Sequence, residues 1–205
     1  EIVSDYPDVP LILDPVLASG RGDELATEDM TRALRELLLP QTTILTPNSL
    51  ELRRLAEAEE DDERTLEQYA AKLIETGCEY VLVTGTHENT PQVINTLYGK
   101  NGVVRTDSWP RLAGSFHGSG CTLASAIAAM LANGLDLPEA VRVAAEVARL
   151  ACAPPPGGLP PGMEPGLEAT RSFDPPGPAF SGAVHVAGVE GLAEVRAERL
   201  RRVGV

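Results

Sequence analysis

The residues His117-Gly-Ser-Gly-Cys-Thr122 join a glycine turn directly to an Ala-rich stretch with helical spacing. Such a turn lets several backbone N–H groups point at one spot, and the helix beyond it adds about half a positive charge at its N-terminus. An anion is favoured there without a lysine, and the glycines let a ligand come close to the backbone. The Cys121 thiol at that helix start reads as a base or a nucleophile, because a helix N-terminus stabilises a thiolate. The turn is not a Walker A loop, since no Gly-Lys-Ser/Thr follows, and not G-x-G-x-x-G, since residue 123 is leucine. Three readings stay open on these residues: an anion-binding turn, a thiol hydrolase with Cys121 as nucleophile and His117 as base, and a tight turn in which Cys121 only packs the core.

Two other places could carry chemistry. Asn48-Ser-Leu-Glu51 has the spacing of a capping box, in which Asn48 and Glu51 close the first turn of a helix; a helix start can present a site as well. Asp14 ends the apolar run Val9-Pro-Leu-Ile-Leu, the place where strands of an open α/β sheet deliver side chains to ligands, or else it is a solvated turn acid.

The elements that position these residues alternate between strand and helix. Strands are predicted over Val9–Asp14, Thr42–Thr46 and Tyr80–Thr84, and helices over Leu25–Leu39, from Asn48, and from Thr65 to a stop at Gly77. Thr65 and Gln68 form a second capping box. Val93–Leu97 and Val103–Thr106 read as a hairpin whose Asn101-Gly102 pair supplies positive φ angles, with Trp109 packing it against the sheet. A helix from about Thr122 to Ala132 ends at Asn133-Gly134, and another runs from Pro138 to about Cys152. The pattern is that of an α/β fold with a mostly parallel sheet flanked by helices.

Composition narrows the function. With 43% hydrophobic and 23% charged residues, 205 residues suit one globular domain, and a net charge of −13 repels nucleic acid and anionic membranes. Only Lys72 and Lys100 are lysines, so an anionic substrate would be held by backbone amides, arginines or a metal ion. Cys78, Cys121 and Cys152 show neither a zinc spacing nor a disulfide framework, and no signal or spanning segment is legible, so a cytoplasmic location is expected. Nine of the 17 prolines fall between Pro154 and Pro178, which separates a linker over residues 154–183 from a terminal helix over residues 184–205.

Asp14-Pro-Val16, Thr46-Pro-Asn-Ser-Leu-Glu51, Val81-Leu-Val-Thr-Gly-Thr-His87 and Gly118-Ser-Gly-Cys-Thr-Leu123 occur in the order and spacing of a known family. From about residue 8 to residue 151 the chain resembles the ribokinase-like hydroxymethylpyrimidine and phosphomethylpyrimidine kinases of thiamine biosynthesis. Cysteine at position 121, where related sugar and pyridoxal kinases usually carry aspartate, points to the pyrimidine branch. The resemblance implies ATP-dependent phosphorylation of 4-amino-5-hydroxymethyl-2-methylpyrimidine and then of its monophosphate, with Mg2+. It implies Cys121 as the base and the amides of Gly118, Ser119, Gly120 and Cys121 around the transferring phosphoryl group. It places Asn48 and Glu51 at magnesium, Asp14, Thr84 and Gly85 at the nucleotide, and Val16 beside the pyrimidine. It also implies a homodimer.

The chain departs from that family in three places. Many members carry lysine where Thr84 stands. The Gly-rich N-terminal segment that builds much of the pyrimidine pocket has no counterpart before Glu1, so residues 1–153 are expected to be the C-terminal two thirds of a ribokinase-like domain. The Pro/Gly-rich end has no family counterpart. An inactive, truncated relative that binds nucleotide or a partner, a pyridoxal-type kinase and a cysteine-dependent hydrolase are the rival readings.

Overall fold

A computed structural model describes residues 5–6, 8–18, 24–59, 61–113, 116 and 118–152. The chain divides into two compact units, Glu1–Ala113 and Gly114–Val205. The predicted linker over 154–183 and terminal helix over 184–205 lie outside the described residues.

In the first unit the short apolar runs become strands that are parallel to one another. Ile12–Leu13 (β1) pairs with Ile44–Leu45 (β2), and β2 pairs with Tyr80–Val83 (β3), both in parallel. Gln92–Gly99 (β4) and Gly102–Pro110 (β5) then add antiparallel, so the sheet keeps chain order and is parallel in its first half, antiparallel in its second. The run Val9–Asp14 gives only two paired residues, since Val9 is exposed and Pro10 has no N–H to donate.

The helix expected over Leu25–Leu39 is three shorter pieces. Thr27 caps an α-helix over Glu28–Ala33 (α1) by accepting from the Met30 N–H, and this sets the start three residues late. The chain continues as a π-helical turn, Leu34–Leu38, and a 3-10 turn, Leu39–Gln41. Pro40 lies inside that last turn instead of ending the helix, because the first positions of a turn have no hydrogen bond for it to break. Ser49–Leu55 (α2) and Leu66–Glu75 (α3) follow, each opened by its predicted capping box, and Gly77 leaves α3 with a φ of +115°.

The hairpin strands are longer than predicted, and the turn differs. Of Asn101 and Gly102 only Gly102 has a positive φ, +97°. The register shifts at Leu97/Tyr98, and a turn combined with a bulge needs one left-handed residue where the two-residue loop needs two. Trp109 is half-buried on β5 opposite Val93. On one face of the sheet Leu45, Val81, Val83 and Tyr98 pack with Leu52, Leu55, Tyr69 and Leu73 of α2 and α3. Each large apolar side chain buried this way contributes about 1.5–3 kcal/mol, which holds the ends of β1 to β3 in register.

In the second unit Ser119–Ala132 (α4) and Leu137–Cys152 (α5) form a helical hairpin. Asn133 caps α4, and Gly134 turns the chain with a φ of +86°. The predicted start at Thr122 moves to Ser119 because Gly118 takes a left-handed φ of 82° and serves as the N-cap. No helix among the described residues is long and apolar enough to cross a membrane.

Candidate active site

Within the first unit the ends of β1, β2 and β3 bring four of the predicted site residues together. Asp14 follows β1, and the Thr46 hydroxyl after β2 lies 3.4 Å from both the Leu13 carbonyl oxygen and Asp14 Oδ1. Asn48 and Thr84 are bridged in parallel beyond the named strands, where the Thr84 N–H donates to the Pro47 carbonyl at 2.9 Å. The capping box then fixes both side chains of interest on α2. Asn48 Oδ1 accepts from the N–H groups of Leu50 and Glu51, each at 2.9 Å, and Glu51 Oε2 accepts from the Asn48 N–H at 3.0 Å.

Glu51 is more than a cap. Its Oε1 accepts from the N–H of Leu17, 34 residues earlier, at 3.2 Å, and the residue is only 9% exposed. Burial pushes its carboxyl above the usual 4.5, and the nearby Asp14 carboxylate pushes the same way, against the two backbone N–H groups that favour the charged form. A buried carboxylate repelled by a second one is an electrostatic arrangement that a hard cation relieves. Among the described residues no three His, Cys, Asp or Glu side chains form a metal cluster. Mg2+ suits such a place, because it keeps waters and takes one or two carboxylates together with phosphate oxygens. Val16 is exposed between Asp14 and the buried Leu17, so its side chain is accessible to a ligand.

Thr84 is half-buried, and Gly85 is buried at the start of a 3-10 turn, Gly85–His87. The Gly85 N–H donates to Asn95 Oδ1 at 3.2 Å. A Cβ on Gly85 would stand 2.3 Å from the Ile94 carbonyl oxygen and 2.9 Å from its nitrogen, backbone atoms that no rotamer can move aside. Gly85→Ala is therefore expected to destabilise the protein by about 2 kcal/mol. Urea denaturation measures this, and an unchanged midpoint would show that β4 yields freely.

The second unit carries the predicted anion turn. Caps from Thr27, Asn48 and Thr65 close α1, α2 and α3, whereas no side chain caps α4. The Ser119 hydroxyl donates to the Phe116 carbonyl at 3.0 Å and the Thr122 hydroxyl to the Gly118 carbonyl at 2.9 Å, so both brace the turn. A Cβ at Gly118 would meet nothing within 4 Å, so its left-handed φ alone demands glycine there. Gly120 and Cys121 are exposed on the first turn of α4. The other cysteines are poor nucleophiles: burial pushes the Cys78 thiol up to about 12 and raises that of Cys152. His117, the base of the hydrolase reading, lies outside the described residues.

Sequence reasoning missed the Leu17 amide on Glu51, and Glu88, whose carboxylate is held low by the Ser49 hydroxyl and by Arg53. It also missed Arg111, which binds four carbonyls of the turn after Thr84. None of these has a short-range pattern; each joins residues far apart in the chain.

Comparison with known proteins follows the same residues. The family described as phosphomethylpyrimidine kinase matches residues 1–162. The hydroxymethylpyrimidine/phosphomethylpyrimidine kinase of Streptomyces coelicolor is 38% identical over 143 residues, covering 68% of this chain and 51% of that protein. That of Mycobacterium bovis is 40% identical over 134 residues, covering 65% of this chain and 49% of that one. The chain thus spans about half the length of the curated relatives it matches. Among solved structures, phosphomethylpyrimidine kinase from Clostridium difficile superposes with a TM-score of 0.58 at 26% identity, covering 74% of this chain and 62% of that one. An ADP complex of Bacillus subtilis pyridoxal kinase gives 0.62 at 25% identity, covering 83% and 66%. The fold is ribokinase-like, a mixed sheet flanked by helices.

Proposed function

We infer the function from one premise: the chain belongs to the phosphomethylpyrimidine kinase family. The reading supported best is ATP-dependent phosphorylation of 4-amino-5-hydroxymethyl-2-methylpyrimidine and then of its monophosphate, within thiamine diphosphate biosynthesis. The observation that carries it is Glu51, a buried carboxylate beside Asp14 and next to Asn48 and Thr84 at the strand ends. That is where a nucleotide and its cation are received in an open α/β sheet.

In this reading Asp14, Thr84 and Gly85 face the nucleotide, Val16 the pyrimidine, and Asn48 and Glu51 orient magnesium, directly or through water. The cation offsets charge on the nucleotide phosphates. Cys121 accepts the proton of the substrate hydroxymethyl group as its oxygen attacks the γ-phosphorus and ADP leaves. The N–H groups of Gly118, Ser119, Gly120 and Cys121 hold the oxygens of the moving phosphoryl group, supplying fixed dipoles where charge develops. Threonine at position 84 cannot supply the charge that lysine gives many relatives, so backbone amides and the cation carry more of it. A cytoplasmic location and a homodimer belong to the same reading; light scattering on the purified protein tests the second.

The electrostatics of Glu51 give a pH signature. Its carboxyl is raised above 4.5 in the fold, so its contribution to stability is full below that value and is lost as pH rises through the raised one. Above that window two ionised carboxylates repel each other, and a divalent cation offsets the repulsion. Mg2+ is therefore expected to raise the melting temperature at pH 7.5 and to raise it less near pH 4.5; an equal shift at both would remove Glu51 from the site.

The function itself is tested by incubating the protein with ATP, magnesium and the hydroxymethylpyrimidine and following mono- and bisphosphate by mass spectrometry. Both products are expected in turn. Folded protein that binds nucleotide and forms neither would leave a binding module, and thiol acylation without nucleotide dependence would favour a hydrolase.

A further inference from the structure

We propose that Arg111 is a positioning residue for the nucleotide, acting through the 85–90 turn that it clamps. The proposal rests on the kinase reading above. Arg111 follows β5, and its guanidinium donates to four backbone carbonyls of one turn: Nε to Thr90 at 3.0 Å, Nη1 to Thr86 at 2.7 Å, and Nη2 to Gly85 at 3.2 Å and to Glu88 at 2.7 Å. Its own N–H donates to the Pro91 carbonyl at 3.2 Å. A planar fork with five donors can gather carbonyls in this way, whereas the point charge of a lysine cannot.

The clamp has a directional consequence. In a trans peptide the C=O and the following N–H point to opposite sides, and the described residues contain no cis bond. Drawing the carbonyls of Gly85, Thr86 and Glu88 onto the guanidinium turns the N–H groups of Thr86, His87 and Asn89 away from it. The turn thereby presents amide donors outward, the polarity that an oxyanion requires.

The same turn is tied to the helix that carries Asn48 and Glu51. Arg53 on α2 donates to Glu88 Oε1 at 3.2 Å, and the Ser49 hydroxyl and Arg53 hold the Glu88 carboxyl low. At its start the turn is fixed by the Asn95 side chain on the Gly85 N–H and by the bridge from Thr84 to Asn48. Thr84 and Gly85 thus stand on a segment whose far side is set by Arg111 alone among the arginines. Without the fork the four carbonyls must find water, and the turn relaxes away from α2.

The test compares the unmodified protein with Arg111→Lys and Arg111→Met. The affinity for the ATP analogue AMP-PCP with magnesium is measured by calorimetry, and hydrogen exchange is followed at residues 85–90 and across α4 and α5. Both variants are expected to bind AMP-PCP about ten- to a hundredfold more weakly, the range for a displaced supporting group. Exchange should rise at residues 85–90 and stay unchanged in α4 and α5. Unchanged affinity in both variants, even with faster exchange, would overturn the proposal and leave a purely structural clamp. Full affinity in Arg111→Lys alone would overturn it too, since charge and not the fork would then matter. Unmodified protein that binds no AMP-PCP would overturn the kinase reading itself, a result distinct from equal binding by all three proteins.

Discussion

Replacing Cys121 by alanine is expected to lower turnover of the hydroxymethyl substrate by about 10²–10⁴-fold, the range lost with a general base, while phosphorylation of the monophosphate falls far less. The two steps differ in the proton to be removed. A hydroxymethyl oxygen must lose its proton as it attacks phosphorus. The second ionisation of a phosphate monoester lies near pH 6 (about), so at pH 7.5 the attacking oxygen of the monophosphate is already mostly bare. The substitution touches little else. Cys121 is exposed on α4, alanine is the best helix former, and the backbone N–H of residue 121 stays in the turn. The melting temperature should therefore hold, and single-turnover kinetics on each substrate gives the ratio. Equal losses in both steps would assign Cys121 to phosphoryl binding, and no loss in either would remove it from the chemistry. Cys78→Ala and Cys152→Ala serve as controls, because burial raises both thiols and keeps them protonated near neutral pH.

Glu51→Gln is expected to weaken the magnesium requirement of turnover about 10–100-fold, the cost of losing a group that orients a metal, and to lower stability by about 1–3 kcal/mol. The stability loss follows from counting acceptors. Each carboxylate oxygen of Glu51 accepts one backbone N–H, from Leu17 and from Asn48. A glutamine offers one oxygen and one NH2, so one of those amides must face another donor. Removing a buried charge repelled by Asp14 works in the opposite direction, which keeps the net loss at the lower end near neutral pH. Turnover titrated with magnesium separates the two effects. Full activity restored at high magnesium would mark Glu51 as an orienting group for the cation. A stability loss with an unchanged magnesium dependence would reduce it to the capping residue that its spacing already implies.

Much of the scaffold is legible in the sequence because its determinants are close together. Both capping boxes form as predicted, since Asn48 with Glu51 and Thr65 with Gln68 need only the geometry of a single helical turn. The glycine at position 118 announces a left-handed turn into a helix for the same reason. Where the reading slipped, a neighbour decided. Thr27 captured the start of α1, Gly118 moved the start of α4 back to Ser119, and one bulged position changed what Asn101-Gly102 had to supply.

Thus the strand–helix alternation, the helix caps, the anion turn and the family resemblance are properties of the sequence alone, each a matter of short-range spacing or of residue type. Only the tertiary structure decides that the Leu17 amide meets Glu51, that Asn48 lies beside Thr84, and that Arg111 gathers carbonyls 21 to 26 residues away. It alone raises the Glu51 carboxyl, because that shift needs burial and the approach of Asp14. Contacts of this kind require long loops to close before they form. The entropy of closing them is offset only when the shared core of α2, α3 and the sheet packs as a whole, and no local pattern in the chain records where those distant partners will meet.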